Sequence, residues 1–247
     1  MTVFTAYGKL PAHGDFITRS FATGPQGVSM QSADPQMMQA WDQWLKAYAA
    51  VPQQNLGHAW LDIYLTSPVW QFVVSAGILS PQPWAGLLIP SVDKVGRYFP
   101  MTLLMSLNQH PIVFLTQQAD WFAQLETSLL DALEHSTVID EWLPDVLFEP
   151  EQVQYQAGPC NDPTRQTVIR QDQSIDVTQV LLANLYNYMM PSYSLWQTQG
   201  SDEVAACTLS SKHLPAANSL TAMLDGQWER WNWQSGDDPA PSVCVRA

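Results

Sequence analysis

Residues 90–104 read PSVDKVGRYFPMTLL. Three charged side chains, Asp93, Lys94 and Arg97, stand between two apolar runs, residues 84–89 and 99–104, the second reading as a strand to residue 107. Short apolar runs bounded by proline and glycine read as strands, so the charged stretch is the bend between two of them. Gly96 gives that bend backbone freedom, and Asp93 and Arg97 are spaced to pair in a fork geometry. Two roles stay open for the bend: a brace that fixes the strand junction, or a recognition surface.

Residues 2–7 are β-rich and end at Gly8, which gives a first strand. Gly24, Pro25, Gly27 and Ser29 mark residues 22–35 as loop. Asp34-Pro35 opens a helix, with the aspartate as cap and the proline at the first turn. Met37, Trp41, Trp44, Leu45 and Tyr48 follow at helical spacing, and Pro52 is expected to end the run. Residues 59–65 and 69–77 read as two further strands joined through Thr66-Ser67-Pro68. Four successive strands with short connections imply largely antiparallel pairing.

Beyond residue 110 the pattern turns helical. Thr116 is placed to cap a second helix with Phe122, Leu125, Leu129 and Leu133 as its apolar stripe. Residues 149–175 are polar and loop-like, with one short strand at 167–170. Asp176 opens a third helix whose inward side is expected to carry Val177, Val180, Leu181, Asn184, Leu185 and Tyr188, until Pro191 stops it. Residues 195–198 and 204–209 form a hairpin around Gly200-Ser201. Two strands are too few for a sheet of their own, so they are expected to complete the first one. The expected architecture is one α/β domain over residues 1–247: an N-terminal region to 110, an acidic region 111–234 completing a mixed, partly antiparallel sheet, and a loose tail from 235.

Composition narrows the function. Of 247 residues 46% are hydrophobic and 13% charged, a balance suited to a packed core and opposed to disorder. Cys160, Cys207 and Cys244 are odd in number and far apart, which signals neither a zinc site nor a disulfide framework and fits a reducing cytoplasm. The first nine residues lack a basic segment followed by an apolar one, so no signal peptide is expected, and no apolar run is long enough for a membrane span. The net charge of −13 is unevenly spread: residues 1–110 balance five acids against five bases, whereas residues 111–247 carry eighteen acids against five bases. Such a surface repels nucleic acid and anionic lipid.

Motifs for chemistry are thin. Gly8-Lys9 is followed by Leu10-Pro11 rather than by a helix, so it is no phosphate loop. Val74-Ser75-Ala76-Gly77 lacks the first glycine of a nucleophile elbow. His58, His110, His135 and His213 show no metal-ligand spacing, and no cofactor is expected. His13 and Asp15, two apart, could share a face and act with Asp93 as proton-transfer groups of a hydrolase. Trp228, Trp231 and Trp233, beside Glu229 and Arg230, are residue types enriched at binding hot spots.

Three long segments carry a family resemblance: YGKLPAHGDFI near the start, YLTSPVWQFVVSAG, and GLLIPSVDKVGRYFPMTL. Together they resemble the N-terminal signature of the TagF (ImpM) family of type VI secretion accessory proteins. PSYSLWQTQG and LPAANSLTAMLDGQW are similar to its less regular C-terminal half. The resemblance implies a three-layer αβα sandwich and a cytoplasmic, post-translational repressor of secretion-apparatus assembly. It implies a protein partner such as a forkhead-associated scaffold, and a functional link to a threonine kinase–phosphatase pair. No enzymatic residues are implied. Asp15, Asp93, Lys94 and Arg97 are therefore the candidate contact or loop-ordering residues, with a hydrolase using His13, Asp15 and Asp93, or a structural subunit of the apparatus, as alternatives.

Overall fold

The computed structural model describes residues 2–11, 16–24, 27–134, 142–143, 146, 150 and 177–234. The expected strand at 167–170, most of the loop at 149–175 and the tail from 235 lie outside the described residues. Eight strands form one sheet: β1 (Thr2–Gly8), β2 (Ile17–Gly24), β3 (Gly27–Gln31), β4 (Trp70–Val74), β5 (Trp84–Ile89), β6 (Met101–Ser106), β7 (Tyr193–Thr198) and β8 (Cys207–Lys212), in the order β3-β2-β1-β6-β5-β4-β7-β8. Every neighbouring pair is antiparallel, which corrects the expected mixed sheet. The β7–β8 hairpin joins the first sheet through β4, with Phe72 opposite Trp196.

The central strands β5 and β6 are buried at every position. Their alternate side chains enter two separate hydrophobic clusters, as the twofold period of a strand requires. Ala85, Leu87, Ile89, Leu103 and Met105 join one, together with Phe114, Phe122, Leu125 and Leu129. Trp84, Leu88 and Leu104 join the other, with Trp41, Trp44, Tyr48 and Trp196. The Trp41, Trp44 and Trp196 rings stack there with centroids 5.0–6.4 Å apart.

Helix α1 (Pro35–Leu56) starts as its sequence dictates: the Asp34 carboxylate accepts from the backbone N–H groups of Gln36 (2.9 Å) and Met37 (3.4 Å). Pro52 does not end it. The Pro52 ring is buried on the same helix face as Tyr48, four residues earlier, and the helix stops at Gly57, whose φ is +56°. Residues 22–35 also depart from expectation: the glycines that read as loop lie within and around the β2–β3 hairpin, where Gly24 pairs with Gly27. Residues 59–65 are not a strand but a short 3₁₀ turn and helix α2 (Trp60–Leu65), because Trp60 and Tyr64, four apart, both turn inward.

Helix α3 (Pro111–Gln117) is capped by His110, whose Nδ1 accepts from the Ile112 N–H at 3.3 Å, and Thr116 lies inside it rather than capping the next. Helix α4 (Ala119–Glu134) buries Phe122, Leu125 and Leu129 as the stripe requires. Helix α5 (Val177–Met189) matches its expected orientation only in part: Val180 is buried as expected and Ala183 joins it, whereas Leu181, Leu185 and Tyr188 are exposed. A helix apolar nearly all round carries no periodic signal that selects one face. Helix α6 (Ala222–Asp225) follows β8. Among the described residues no helix is long and apolar enough to cross a membrane.

Candidate functional site

Antiparallel order brings distant segments to one end of the sheet. There β1 and β5 finish and β2, β4 and β6 begin, since Gly8 pairs with Ile17, Tyr7 with Thr102, and Trp70 with Leu88. The bend between β5 and β6 therefore emerges beside the end of β1 and beside α2, which leads into β4. Gly8 allows this approach. Its φ is +138°, and a Cβ there would lie 2.2 Å from the Pro100 carbonyl oxygen.

The bend is a miniature hairpin. Val92 and Tyr98 form an antiparallel bridge, the Asp93 N–H donates to the Arg97 carbonyl at 3.0 Å, and the Gly96 N–H donates to the Asp93 carbonyl at 2.9 Å. Lys94, Val95 and Gly96 form a three-residue loop with Gly96 at φ +80°, the pattern of a hairpin closed by a glycine bulge. Phe99 and Ser91 continue the ladder through a 3.1 Å hydrogen bond.

Asp93 sits at the centre with its side chain wholly buried. Oδ1 accepts from the backbone N–H groups of Val95 (3.1 Å) and Arg97 (2.8 Å). Oδ2 accepts from Lys9 Nζ (2.8 Å) and Arg97 Nε (2.6 Å). Burial alone would raise the carboxyl pKa, but the Lys9 ammonium, the Arg97 donors and the Val95 N–H hold it well below the ordinary carboxylate range. A proton acceptor at neutral pH needs a pKa near that pH and an accessible oxygen, and Asp93 has neither.

A second tier of hydrogen bonds ties the bend to the body. The Ser91 hydroxyl donates to the Lys9 carbonyl at 2.6 Å. Ser91 also exchanges two hydrogen bonds with Tyr64: its N–H donates to the phenol oxygen and the phenol donates to its carbonyl, both at 3.1 Å. Phe16 packs edge-on against Tyr7 (4.7 Å between centroids) and Phe99 (5.0 Å).

The candidate residues thus fall into different environments. Asp93 is buried, Arg97 braces it with a guanidinium side chain 59% exposed, and Lys94 is exposed at the tip beside Val95, itself 64% exposed. Asp15 and His13 lie outside the described residues. Lys9, Ser91 and Tyr64 escaped the sequence reading as members of this cluster. Lys9 carried one signal, a cation directly after a strand-ending glycine, but its partner lies across the sheet and no local spacing points to it.

The tryptophan cluster near the C-terminus is tied inward. Trp231 Nε1 donates to Asp225 Oδ2 at 2.7 Å, Trp233 Nε1 donates to the Ser219 carbonyl at 2.8 Å, and Trp228 and Trp233 pack against the second core. Among the described residues, no group of three or more His, Cys, Asp or Glu side chains is placed to hold a metal ion.

Residues 5–147 match the family model described as TagF N-terminal domain, type VI secretion system-associated. The fold is similar to the crystal structure of PA0076 from Pseudomonas aeruginosa PAO1, with a TM-score of 0.68 and 30% sequence identity over 91% of this chain and 94% of that one. A search of the curated proteins finds no match.

Proposed function

Because the chain belongs to the TagF family of type VI secretion system-associated proteins, we propose that it is a non-enzymatic accessory protein that represses assembly of the apparatus after translation, by binding one of its components in the cytoplasm. A forkhead-associated scaffold, acting with a threonine kinase–phosphatase pair, is the partner this reading favours. The two hydrophobic clusters support a three-layer αβα sandwich and a chain that folds as one domain. Asp15 belongs to the proposed contact region on its place in the sequence alone.

One observation carries the reading: a wholly buried carboxylate with four donors fixes a bend whose exposed tip offers Lys94, Val95 and one edge of Arg97. A pre-ordered tip binds without the cost of ordering it. Cations beside an apolar residue, on a chain of net charge −13, suit an acidic or phosphorylated partner surface.

The test separates contact from brace. Lys94→Glu with Val95→Asp changes only exposed side chains, whereas reversing Arg97 also removes a donor from Asp93. The Lys94/Val95 variant is expected to keep the wild-type melting midpoint and to lose co-purification with the scaffold. Unchanged co-purification overturns the tip as the contact. Deleting the gene is expected to raise secretion, and a halt in secretion instead assigns the chain to the apparatus itself.

A further inference from the structure

Helix α5 leaves Leu181, Leu185, Tyr188 and Met189 between 50% and 67% exposed, a contiguous apolar surface rather than scattered single residues. A neighbouring face of the same helix, through Leu182 and Tyr186, borders a trough of about 1020 Å³ that is also lined by α3, α4 and the strands β4, β7 and β8. Gln197 on β7, two residues after the core residue Leu195, continues the first-core face of the sheet into this trough. Leu130, Leu182 and Tyr186 supply apolar lining from α4 and α5.

Among the described residues the charge of this surface is one-sided: Asp120 and Glu126 line the trough and no lysine or arginine does. Helix α5 carries no charged residue, and no lysine or arginine occurs in the sequence between Arg97 and Arg165. Lys212, on the same face of β8 as Thr208 and Ser210, is not among the lining residues.

We propose that this trough docks an amphipathic helix of a partner protein, with leucine-type residues against Leu130, Leu182 and Tyr186 and lysine or arginine residues against Asp120 and Glu126. A helix about 10 Å across fills roughly 420 Å³ per turn, so the trough holds about two turns. Docking of an amphipathic helix into an apolar groove is a common recognition mode, and the acidic wall fixes the polarity of the polar stripe. The site is separate from the Lys94 tip, and its partner chemistry is opposite in charge.

The test uses the purified full chain and two synthetic helical peptides with the same leucine seam, one bearing lysines and the other glutamates in their place. Calorimetry is expected to show saturable one-to-one binding of the lysine peptide and at least about tenfold weaker binding of the glutamate peptide. Asp120→Lys with Glu126→Lys, and separately Leu130→Asp with Leu182→Asp, are each expected to weaken the lysine peptide about tenfold or more. Asp202→Lys with Glu203→Lys, outside the trough, leaves it unchanged. No binding, equal binding of both peptides, or equal weakening by the outside reversal overturns the proposal. A photo-crosslinker replacing Ala123 in the native host distinguishes other occupants: an adduct within the same chain, or a dimer that the Asp120/Glu126 reversal dissociates, also overturns it.

Discussion

Lys9 and Asp93 are 84 residues apart in the chain, yet their side chains meet at 2.8 Å with Asp93 wholly buried and Lys9 only 11% exposed. The contact links the end of β1 to the bend between β5 and β6. Truncating one partner of a sheltered pair leaves the other under-compensated. Lys9→Met is therefore expected to lower the melting midpoint by roughly 3–6 °C, and Asp93→Ala by more, because it strips four donors at once. Lys94→Met, at the exposed tip, is expected to leave the midpoint unchanged. Thermal denaturation of the three variants measures the contrast, and equal midpoints for Lys9→Met and Lys94→Met would remove the brace.

The same carboxylate sets a pH dependence. In the unfolded chain its pKa is about 3.9, and in the folded protein it is lower. As pH falls, the unfolded state takes up the proton first, so the brace contributes fully above about pH 4 and is lost as pH drops through the folded-state pKa. Asp93→Asn cannot titrate. The stability gap between wild type and Asp93→Asn is expected to be constant from neutral pH to about pH 5 and to shrink below about pH 4. Urea melts at several pH values measure the gap, and a gap that widens on acidification contradicts the assigned shift.

Gly8 and Gly96 are both at positive φ but for different reasons. A Cβ at Gly8 would run into the Pro100 backbone, whereas nothing lies within 4 Å of one at Gly96. Gly96→Ala is expected to cost about 1–2 kcal/mol, the strain of a left-handed alanine. Gly8→Ala is expected to cost clearly more, since β1 must also move away from the start of β6. If equilibrium unfolding ranks Gly96→Ala as the more damaging, the close approach of the two strands is not what Gly8 serves.

The legible parts of the fold were those with local signals. Asp34-Pro35 announced α1 because a cap is a contact between neighbours in sequence, and the β5–β6 junction was legible from two apolar runs around a glycine-bearing bend. Residues 59–65 failed because an apolar run of strand length fits either period, and burial of Trp60 and Tyr64 chose the helix. Helix α5 was legible as a helix with Val180 inward, but the exposure of Leu181, Leu185 and Tyr188 was not. Its apolar residues surround it, so only the packing decides which ones face outward. At the candidate site, the pairing of Asp93 with Arg97 was a spacing argument and could be read. The roles of Lys9, Ser91 and Tyr64 depend on strand order, which no local pattern encodes.

Trp41 and Thr102 couple the second core to the sheet. The buried Thr102 hydroxyl accepts from Trp41 Nε1 at 3.1 Å and donates to the Tyr7 carbonyl at 2.9 Å. Thr102→Val keeps the shape but leaves the indole N–H without that acceptor, at a cost of about 1–3 kcal/mol. Thr102→Ser keeps the hydroxyl and loses only a methyl group, so it is expected to cost less. Trp41→Phe removes the donor, so Thr102→Val in that background should cost less than in wild type, with a coupling on the order of 1 kcal/mol. Chemical denaturation of the four members of the cycle gives the coupling directly. Strict additivity would mean that the indole finds another acceptor and that the hydroxyl serves the Tyr7 carbonyl alone.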